Sequence, residues 1–508
     1  GDLRTDLDNF PTERTWWHPI LAFFVLLVPV VALEDAPWIK ALKKRFAKQK
    51  VWLAATGGAL FLAWFALVFH IADGRFDALK SAAFVLLVPA LIGFVPPYFF
   101  VIKEYLKEHP TYRKLAVLGR GGSARFGGIY SFAKYDHTSS SRPIPPAVYV
   151  GATTKAADPA IGRREIALQS DAMMLTVAAT GGGKSYYTAW NALPSWTGGL
   201  FVLDPKGEHV RETAAFRDEA IVFAPWDSSK SAGFNPLAGI NTGSPNAASE
   251  LLKIVQACFP AQAHEKSNSA HFRENAQTIA LGVMAHVLSR FPREFHNLPA
   301  VYEAFLTGHP EGGAADPKAF DELVIDMAEN EAFGGAPMTA AKLLLNAQGT
   351  ERGGFITTVT NGLRWTHDEV LRPRLERSDF SMGDLRSKNA SIYFVVPFDK
   401  MEEHARFMRV VVTSALLACR APAKNDRRTL FLLDEFPQLG TFKPIKEGLV
   451  TLRSQNVKLW LMLQDIGQLR ERYSNWMDFI SSCDKQFFAV NDHDTAQEIS
   501  RELGYVMV

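Results

Sequence analysis

Two stretches of this 508-residue chain carry residues of the types and spacing that phosphate chemistry needs. In the first, Met174-Leu-Thr-Val-Ala-Ala-Thr-Gly-Gly-Gly-Lys-Ser185, an apolar run leads through a glycine turn into Lys184-Ser185. Read as G-x-x-x-x-G-K-[ST], it lacks only the first glycine, whose place Ala178 takes. Thr180, Gly181, Gly182 and Gly183 form the loop, and its glycines let successive backbone N–H groups turn towards phosphate oxygens. Lys184 can then neutralise the β- and γ-phosphates, and the Ser185 hydroxyl can ligate Mg²⁺. Ala178 falls at the end of the strand, where a methyl group need not touch nucleotide. A glycine-rich turn with a chance lysine is the plainer alternative. The order of strand, loop and Lys-Ser argues against it.

The second stretch, Arg428-Thr-Leu-Phe-Leu-Leu-Asp434-Glu435, is an apolar strand that delivers two carboxylates at its end. Beside a phosphate loop, Asp434 would hold the Mg²⁺ shell and Glu435 would act as general base on the attacking water. Two further strand ends invite attention. Val457-Lys-Leu-Trp-Leu-Met-Leu463 ends at Gln464, whose amide could sense a γ-phosphate, orient the water, or be an ordinary strand-end glutamine. Gly198-Gly-Leu-Phe-Val-Leu-Asp204 ends in Asp204-Pro-Lys-Gly-Glu208, so Asp204, Lys206 and Glu208 would face the crevice that holds Lys184. A tight Pro/Gly turn with solvated charges explains the same five residues locally. Gly119-Arg-Gly-Gly-Ser-Ala124 matches a dinucleotide pattern but opens no helix and sits in no βαβ unit, so it is set aside.

The elements that must position these residues are α/β in type. Apolar strands are expected at Ile221–Pro225, Ser391–Val396 and Lys485–Val490, besides those already named. Helices are expected at Tyr186–Leu193, Glu208–Phe216 and Ala496–Leu503, the last capped by Asp494 or Thr495. Between residues 246 and 379 helical spacing replaces strand signals, as in Ala276, Ile279, Ala280, Val283, Met284 and Val287. This reads as an inserted all-α domain. Arg352, Arg364, Arg372, Arg374 and Arg377 near its end interleave with acids and suit a solvated face better than a nucleic-acid patch. The expected divisions are therefore a membrane anchor at 1–110, two parts of one nucleotide-binding domain at 111–245 and 380–508, and the helical insertion at 246–379. Tyr505-Val-Met-Val508 reads as the start of a strand, so the sequence is expected to continue.

Composition bounds the rest. A formal net charge of +2 leaves nucleic-acid affinity to local patches. Cys258, Cys419 and Cys483 lie far apart, which argues against a disulfide framework or a zinc site. Apolar residues crowd the first part of the chain. Trp16–Leu33, Trp52–Ile71 and Ala82–Ile102 hold no Asp, Glu, Lys or Arg, and each is near the length needed to cross a bilayer core of about 30 Å. The basic loop with Lys40, Lys43, Lys44, Arg45, Lys48 and Lys50 should stay inside. Three spans, or two if the first run is interfacial, place the rest of the chain in the cytoplasm as the body of a multi-pass inner-membrane protein.

With these residues assembled, the chain resembles the coupling-protein ATPases of type IV secretion and bacterial conjugation. Gly122-Ser-Ala-Arg-Phe126, Thr180–Ser185, Leu203–Glu208 with Thr213 and Arg217, and Asn235-Pro-Leu237 carry the resemblance. Leu433-Asp-Glu-Phe-Pro437, Gln464 with Gln468-Leu469, Thr495-Ala496 and Leu503-Gly504 continue it in order. The resemblance implies a RecA-like P-loop domain with an inserted all-α domain, behind an N-terminal transmembrane helical region. It implies a homo-hexamer with ATP and Mg²⁺ between subunits, completed by an arginine from a neighbour. Membrane lipid, inner-membrane channel components, and relaxase-bound single-stranded DNA or effector proteins are the implied partners. It also shifts Asp204, Lys206 and Glu208 towards the nucleotide. A non-hydrolysing docking receptor and a chromosome-segregating DNA translocase are the competing functions. The Asp204–Glu208 signature and the long helical insertion count against the translocase.

Overall fold

In the computed structural model of the chain, the described residues are 148–152, 165–168, 170–227, 232–262, 265–314, 316–422 and 427–504. The three long apolar runs and the Gly119–Ala124 pattern lie outside them. Among the described residues no helix is long and apolar enough to cross a membrane.

Two short strands, β1 (Val148–Ala152) and β2 (Glu165–Leu168), pair antiparallel as a sheet of their own. The main sheet contains β3 (Met173–Val177), β4 (Leu200–Asp204), β5 (Ala220–Phe223), β6 (Ser391–Val395), β7 (Thr429–Leu433), β8 (Val457–Leu463) and β9 (Cys483–Phe487). Every pairing in it is parallel, in the order β5-β6-β4-β7-β8-β3-β9. A parallel sheet is covered on both faces, so its central strands are apolar throughout rather than alternating. All residues of β3, β4, β7 and β8 are accordingly buried.

The pleat sorts these side chains between two cores. Leu175, Val177, Phe201, Leu203, Phe431, Leu433, Leu461 and Leu463 face the larger one. Met174, Leu200, Val202, Leu430, Leu432, Trp460 and Met462 face the smaller, with Ala189, Ala192 and Leu193 packed over them. Phe201 stacks on Phe431 across the β4–β7 pair, their ring centres 5.2 Å apart. Thr176 is one of the buried polar residues in these strands. Its hydroxyl accepts from Trp460 Nε1 and donates to Gln486 Oε1, both at 2.8 Å, so β8, β3 and β9 are joined in the interior without an unpaired group.

The connection after β4 is α1 (Glu208–Thr213), continued by a 3₁₀ turn at Ala214–Phe216. Between β5 and β6 the long insertion is helical, as its periodicity requires. Its helices are α2 (Ala247–Cys258), α3 (Ser267–Arg290), α4 (Leu298–Thr307), α5 (Pro317–Ala328), α6 (Ala332–Asn346) and α7 (Thr350–Leu363). Asn297 and Asp316 cap α4 and α5, each with a proline just inside the helix. α3 and α6 meet at Gly282, where a Cβ would lie 2.2 Å from that of Ala340. These helices share one continuous core with the sheet's larger face. The arginines near the end of the insertion are paired locally: Arg352 with Asp321, Arg372 with Glu303 and Glu376, and Arg377 with Asp379.

The helices after β6 include α8 (Ala405–Ala418) and α9 (His493–Leu503). α9 is capped by Asp492 rather than by Asp494 or Thr495. The Asp492 carboxylate accepts the Thr495 N–H at 2.7 Å, which leaves the Thr495 hydroxyl to accept from the Ile466 N–H. Gly504, at φ 79°, stops it.

Candidate nucleotide site

All seven strands of the main sheet run the same way, so their C-terminal ends share one edge. In open α/β sheets that edge holds the ligand. The order β4-β7-β8-β3 sets Asp204, then Asp434-Glu435, then Gln464, then the glycine loop side by side along it. Sequence separation of more than 280 residues is thereby reduced to neighbouring strands.

The loop after β3 turns as its glycines allow. Gly181 and Gly183 hold φ of 76° and 80°, in the left-handed region where a side chain is strained. Gly182 has an ordinary φ but no room, since a Cβ there would come within 2.9 Å of the Ala179 carbonyl oxygen. Ala178 is fully buried at the strand end. Beyond Lys184 the chain departs from the α-helix expected over Tyr186–Leu193. Ser185–Ala189 is a π turn, and α-helical geometry returns only for Trp190–Ala192. One-turn π segments of this kind recur at functional sites.

Four of the expected residues form one hydrogen-bonded group. Lys184 Nζ donates to Glu435 Oε1 at 3.1 Å, with both side chains more than nine-tenths buried. Gln464 Nε2 donates to both Glu435 oxygens at 3.2 and 3.1 Å. Thr180 Oγ1 donates to Gln464 Oε1 at 2.8 Å. The backbone N–H of Gln464 donates to Gln468 Oε1 at 3.2 Å. Glu435 takes a φ of 51°, uncommon for a residue with a side chain. Such a conformation costs on the order of 1 kcal/mol or more and is kept where the surroundings fix it.

Asp434 is held separately. Its Oδ1 accepts the Glu435 N–H at 3.0 Å, and its Oδ2 lies 3.2 Å from Nε2 of His209. Burial pushes the Asp434 carboxyl up. The hydrogen bond and charge of His209, the charge of Lys184 and the Glu435 N–H outweigh it and hold the group below the usual carboxylate range. Burial pulls the His209 imidazole down, but Asp434, Asp204 and Glu208 together raise it above its ordinary value. His209 escaped the sequence reading. The signal was a histidine one residue into a helix that opens at a carboxylate-bearing strand end.

Asp204, Lys206 and Glu208 are brought to the same edge and have distinct settings. Asp204 Oδ1 accepts the N–H groups of Lys206 and Glu208 at 3.3 and 3.2 Å, and Oδ2 accepts that of Val210 at 2.9 Å. The carboxylate thus folds the Asp-Pro-Lys-Gly turn over the start of α1, with Gly207 left-handed at φ 65°. Burial raises the Asp204 carboxyl despite the opposing charge of His209. Lys206 is exposed and Glu208 half-buried.

Ser185 and Asp434 carry hydroxyl and carboxylate oxygens of the kind that Mg²⁺ takes. No group of three or more His, Cys, Asp or Glu among the described residues could hold a metal ion.

Residues 135–508 match the family described as type IV secretory system conjugative DNA transfer. A conjugal transfer protein TraG from Escherichia coli is 27% identical over 356 residues, covering 65% of this chain and 55% of that protein. A protein VirD4 from Rhizobium radiobacter is 27% identical over 347 residues, covering 65% and 48%. The chain spans about half the length of these relatives. Among solved structures, the plasmid coupling protein TrwB in complex with ADP and Mg²⁺ is similar with a TM-score of 0.54 at 16% identity, over 76% of this chain and 83% of that one. The same protein in complex with a non-hydrolysable ATP analogue gives 0.52 at 15% identity, over 76% and 83%. At such identities the likeness is one of fold.

Proposed function

From the premise that the chain belongs to the type IV secretory system conjugative DNA-transfer family, we propose that it hydrolyses ATP at this site to drive substrate into a secretion channel. One observation carries the reading. Lys184, Glu435, Gln464 and Thr180, delivered by three different strand ends, form a single connected group at the strand-end edge.

The glycine loop and Lys184 bind the phosphates, and Ser185 and Asp434 hold Mg²⁺, which when bound neutralises charge on the β- and γ-phosphates. His209 fixes the Asp434 carboxylate from behind, as partners of metal ligands do. Both Glu435 oxygens accept hydrogen bonds, Oε1 from Lys184 and each of the two from Gln464. Phosphate draws Lys184 away and frees Glu435 to take a proton from the water that attacks the γ-phosphorus. The bond from that phosphorus to the bridging oxygen breaks, and ADP and phosphate leave. Gln464, steadied by Thr180 and Gln468, passes its amide from Glu435 to the γ-phosphate or the water. Asp204 shapes the turn that presents Lys206 and Glu208 beside the nucleotide.

The exposed mouth of the loop at Thr180 and Gly181 supports a site completed by a neighbouring copy in a hexamer. The apolar runs before residue 103 support a tether in the bacterial inner membrane, with this body on the cytoplasmic side. The family supports relaxase-bound single-stranded DNA or effector proteins as cargo and the secretion channel as partner. In donor cells, Lys184→Ala should abolish substrate transfer while the protein still reaches the membrane. Transfer at the wild-type rate in that variant contradicts the proposal. Stimulation of the full chain's ATPase by single-stranded DNA, falling steeply with salt, marks DNA as the cargo.

A further inference from the structure

The residues just past the phosphate loop are unusual for a helix that packs on a sheet. Tyr186 and Tyr187 come directly after Ser185 and are 61% and 62% exposed, among the most exposed large side chains of the described residues. Large aromatic rings seldom face water without a partner, because their burial is worth more than that of most side chains. Here they are also held in place. The Tyr186 ring meets Tyr187 edge-on at 5.1 Å and Trp190 edge-on at 5.8 Å. The Tyr187 ring lies against the Cα of Gly183, where a Cβ would come within 2.5 Å of it. The tyrosine pair therefore continues the surface of the loop itself. The π turn at Ser185–Ala189 falls at this same point and sets both rings on the exposed side.

We infer that Tyr186 and Tyr187 form the platform on which the base of the bound nucleotide stacks. The inference rests on the nucleotide reading of the loop and deepens it. Once the glycines and Lys184 fix the phosphates, the rest of the nucleotide must lie along the turn beyond Ser185. The two rings stand perpendicular, so a base stacked on the face of one meets the edge of the other, and every base has a π-face to offer. Stacking reads the face of a base and not its edge. Asn191, on the next turn, has its Nδ2 engaged by the Tyr186 carbonyl at 2.9 Å. The platform therefore selects for a base, and for a large one over a small one, but does not separate adenine from guanine.

The test compares ATP, GTP, CTP and inorganic tripolyphosphate as competitors of a fluorescent ATP analogue on the full chain, in wild type and in Tyr186→Ala, Tyr187→Ala and Tyr186→Phe. The expected result is ATP and GTP binding alike and both ahead of CTP, with ATP affinity falling roughly tenfold in each alanine variant, about 1.4 kcal/mol of stacking. Tripolyphosphate affinity stays within twofold throughout, and Tyr186→Phe binds ATP as wild type does. Unchanged ATP affinity in the alanine variants overturns the inference and leaves the phosphate site standing. Parallel loss of ATP and tripolyphosphate overturns it too, because the rings would then only support the loop. If wild type binds neither compound, the nucleotide reading itself fails. Loss of self-association without nucleotide in the alanine variants would assign the rings to a contact between copies and overturn the inference as well.

Discussion

Lys184 and Glu435 stand 251 residues apart in sequence, yet Nζ of the first donates to Oε1 of the second at 3.1 Å. Two strands, β3 and β7, with β8 between them, account for the meeting. The pair neutralises two buried charges. Breaking one partner of such a pair is costly because the other charge is left buried. Phosphate can take over from Glu435 as the partner of Lys184 without that cost.

His209 should matter through Asp434. It touches the carboxylate at 3.2 Å and is itself 1% exposed, so it acts as a positioning residue. In His209→Gln the Mg²⁺ concentration for half-maximal hydrolysis should rise on the order of tenfold, the usual effect of losing a partner of a metal ligand. Nucleotide affinity measured without Mg²⁺ should hold. Equal loss in both measurements would mean that His209 only supports the fold.

Arg409 joins the helical insertion to the segment behind Glu435. From α8 its Nε donates to the Ala257 carbonyl at 3.1 Å, near the end of α2, and its Nη1 to the Leu439 carbonyl at 2.7 Å. Burial, with Arg406 nearby, pulls the guanidinium down to about 10. A lysine has no planar fork to reach both carbonyls. Arg409→Lys should therefore lower unfolding free energy by roughly 2 kcal/mol, read from urea titrations, since a buried carbonyl is left unpaired.

Lys458 gives a pH dependence with a definite sign. It is 1% exposed on β8, where Nζ donates to the Ser170 and Ala172 carbonyls at 2.9 and 2.6 Å. Burial pulls the ammonium down to about 8, against an ordinary 10.5. Between those values the unfolded chain binds more protons than the folded one, so this group makes stability rise with pH. The difference in unfolding free energy between wild type and Lys458→Met should shift in favour of wild type from pH 8 to 10.5 and stay level from pH 6 to 7.5. A difference independent of pH would show that the folded and unfolded chains hold this proton equally, and would contradict the lowered value.

Much of this site could be read before the fold was known, because strand ends advertise themselves. Apolar runs that stop abruptly at Asp204, Asp434 and Gln464 place polar groups at one edge of a parallel sheet. The glycines before Lys184 leave few other conformations. The order of the strands was not legible, since any apolar strand satisfies a buried position equally well. Contacts set by that order were hidden with it, including Gln464 on Glu435 and His209 on Asp434. Local competition hid others. Asp492, Asp494 and Thr495 are all able to cap α9, and the choice fell to Asp492 because Thr495 was needed by the Ile466 N–H. The saturation of Asp204 by three backbone N–H groups was equally invisible, because Asp-Pro-Lys-Gly-Glu reads the same with its carboxylate turned in or out.

On the proposed reading, Glu435 is the base of a nucleotide-hydrolysing site. Glu435→Gln keeps the shape and most of the hydrogen bonds but cannot accept a proton. Single-turnover hydrolysis of ATP by this variant, beside its equilibrium affinity for ATP, tests the claim most directly. Affinity equal to or tighter than wild type with hydrolysis slowed at least 100-fold, the scale on which positioned bases act, is the predicted result. Hydrolysis within a few-fold of wild type at unchanged affinity would contradict it.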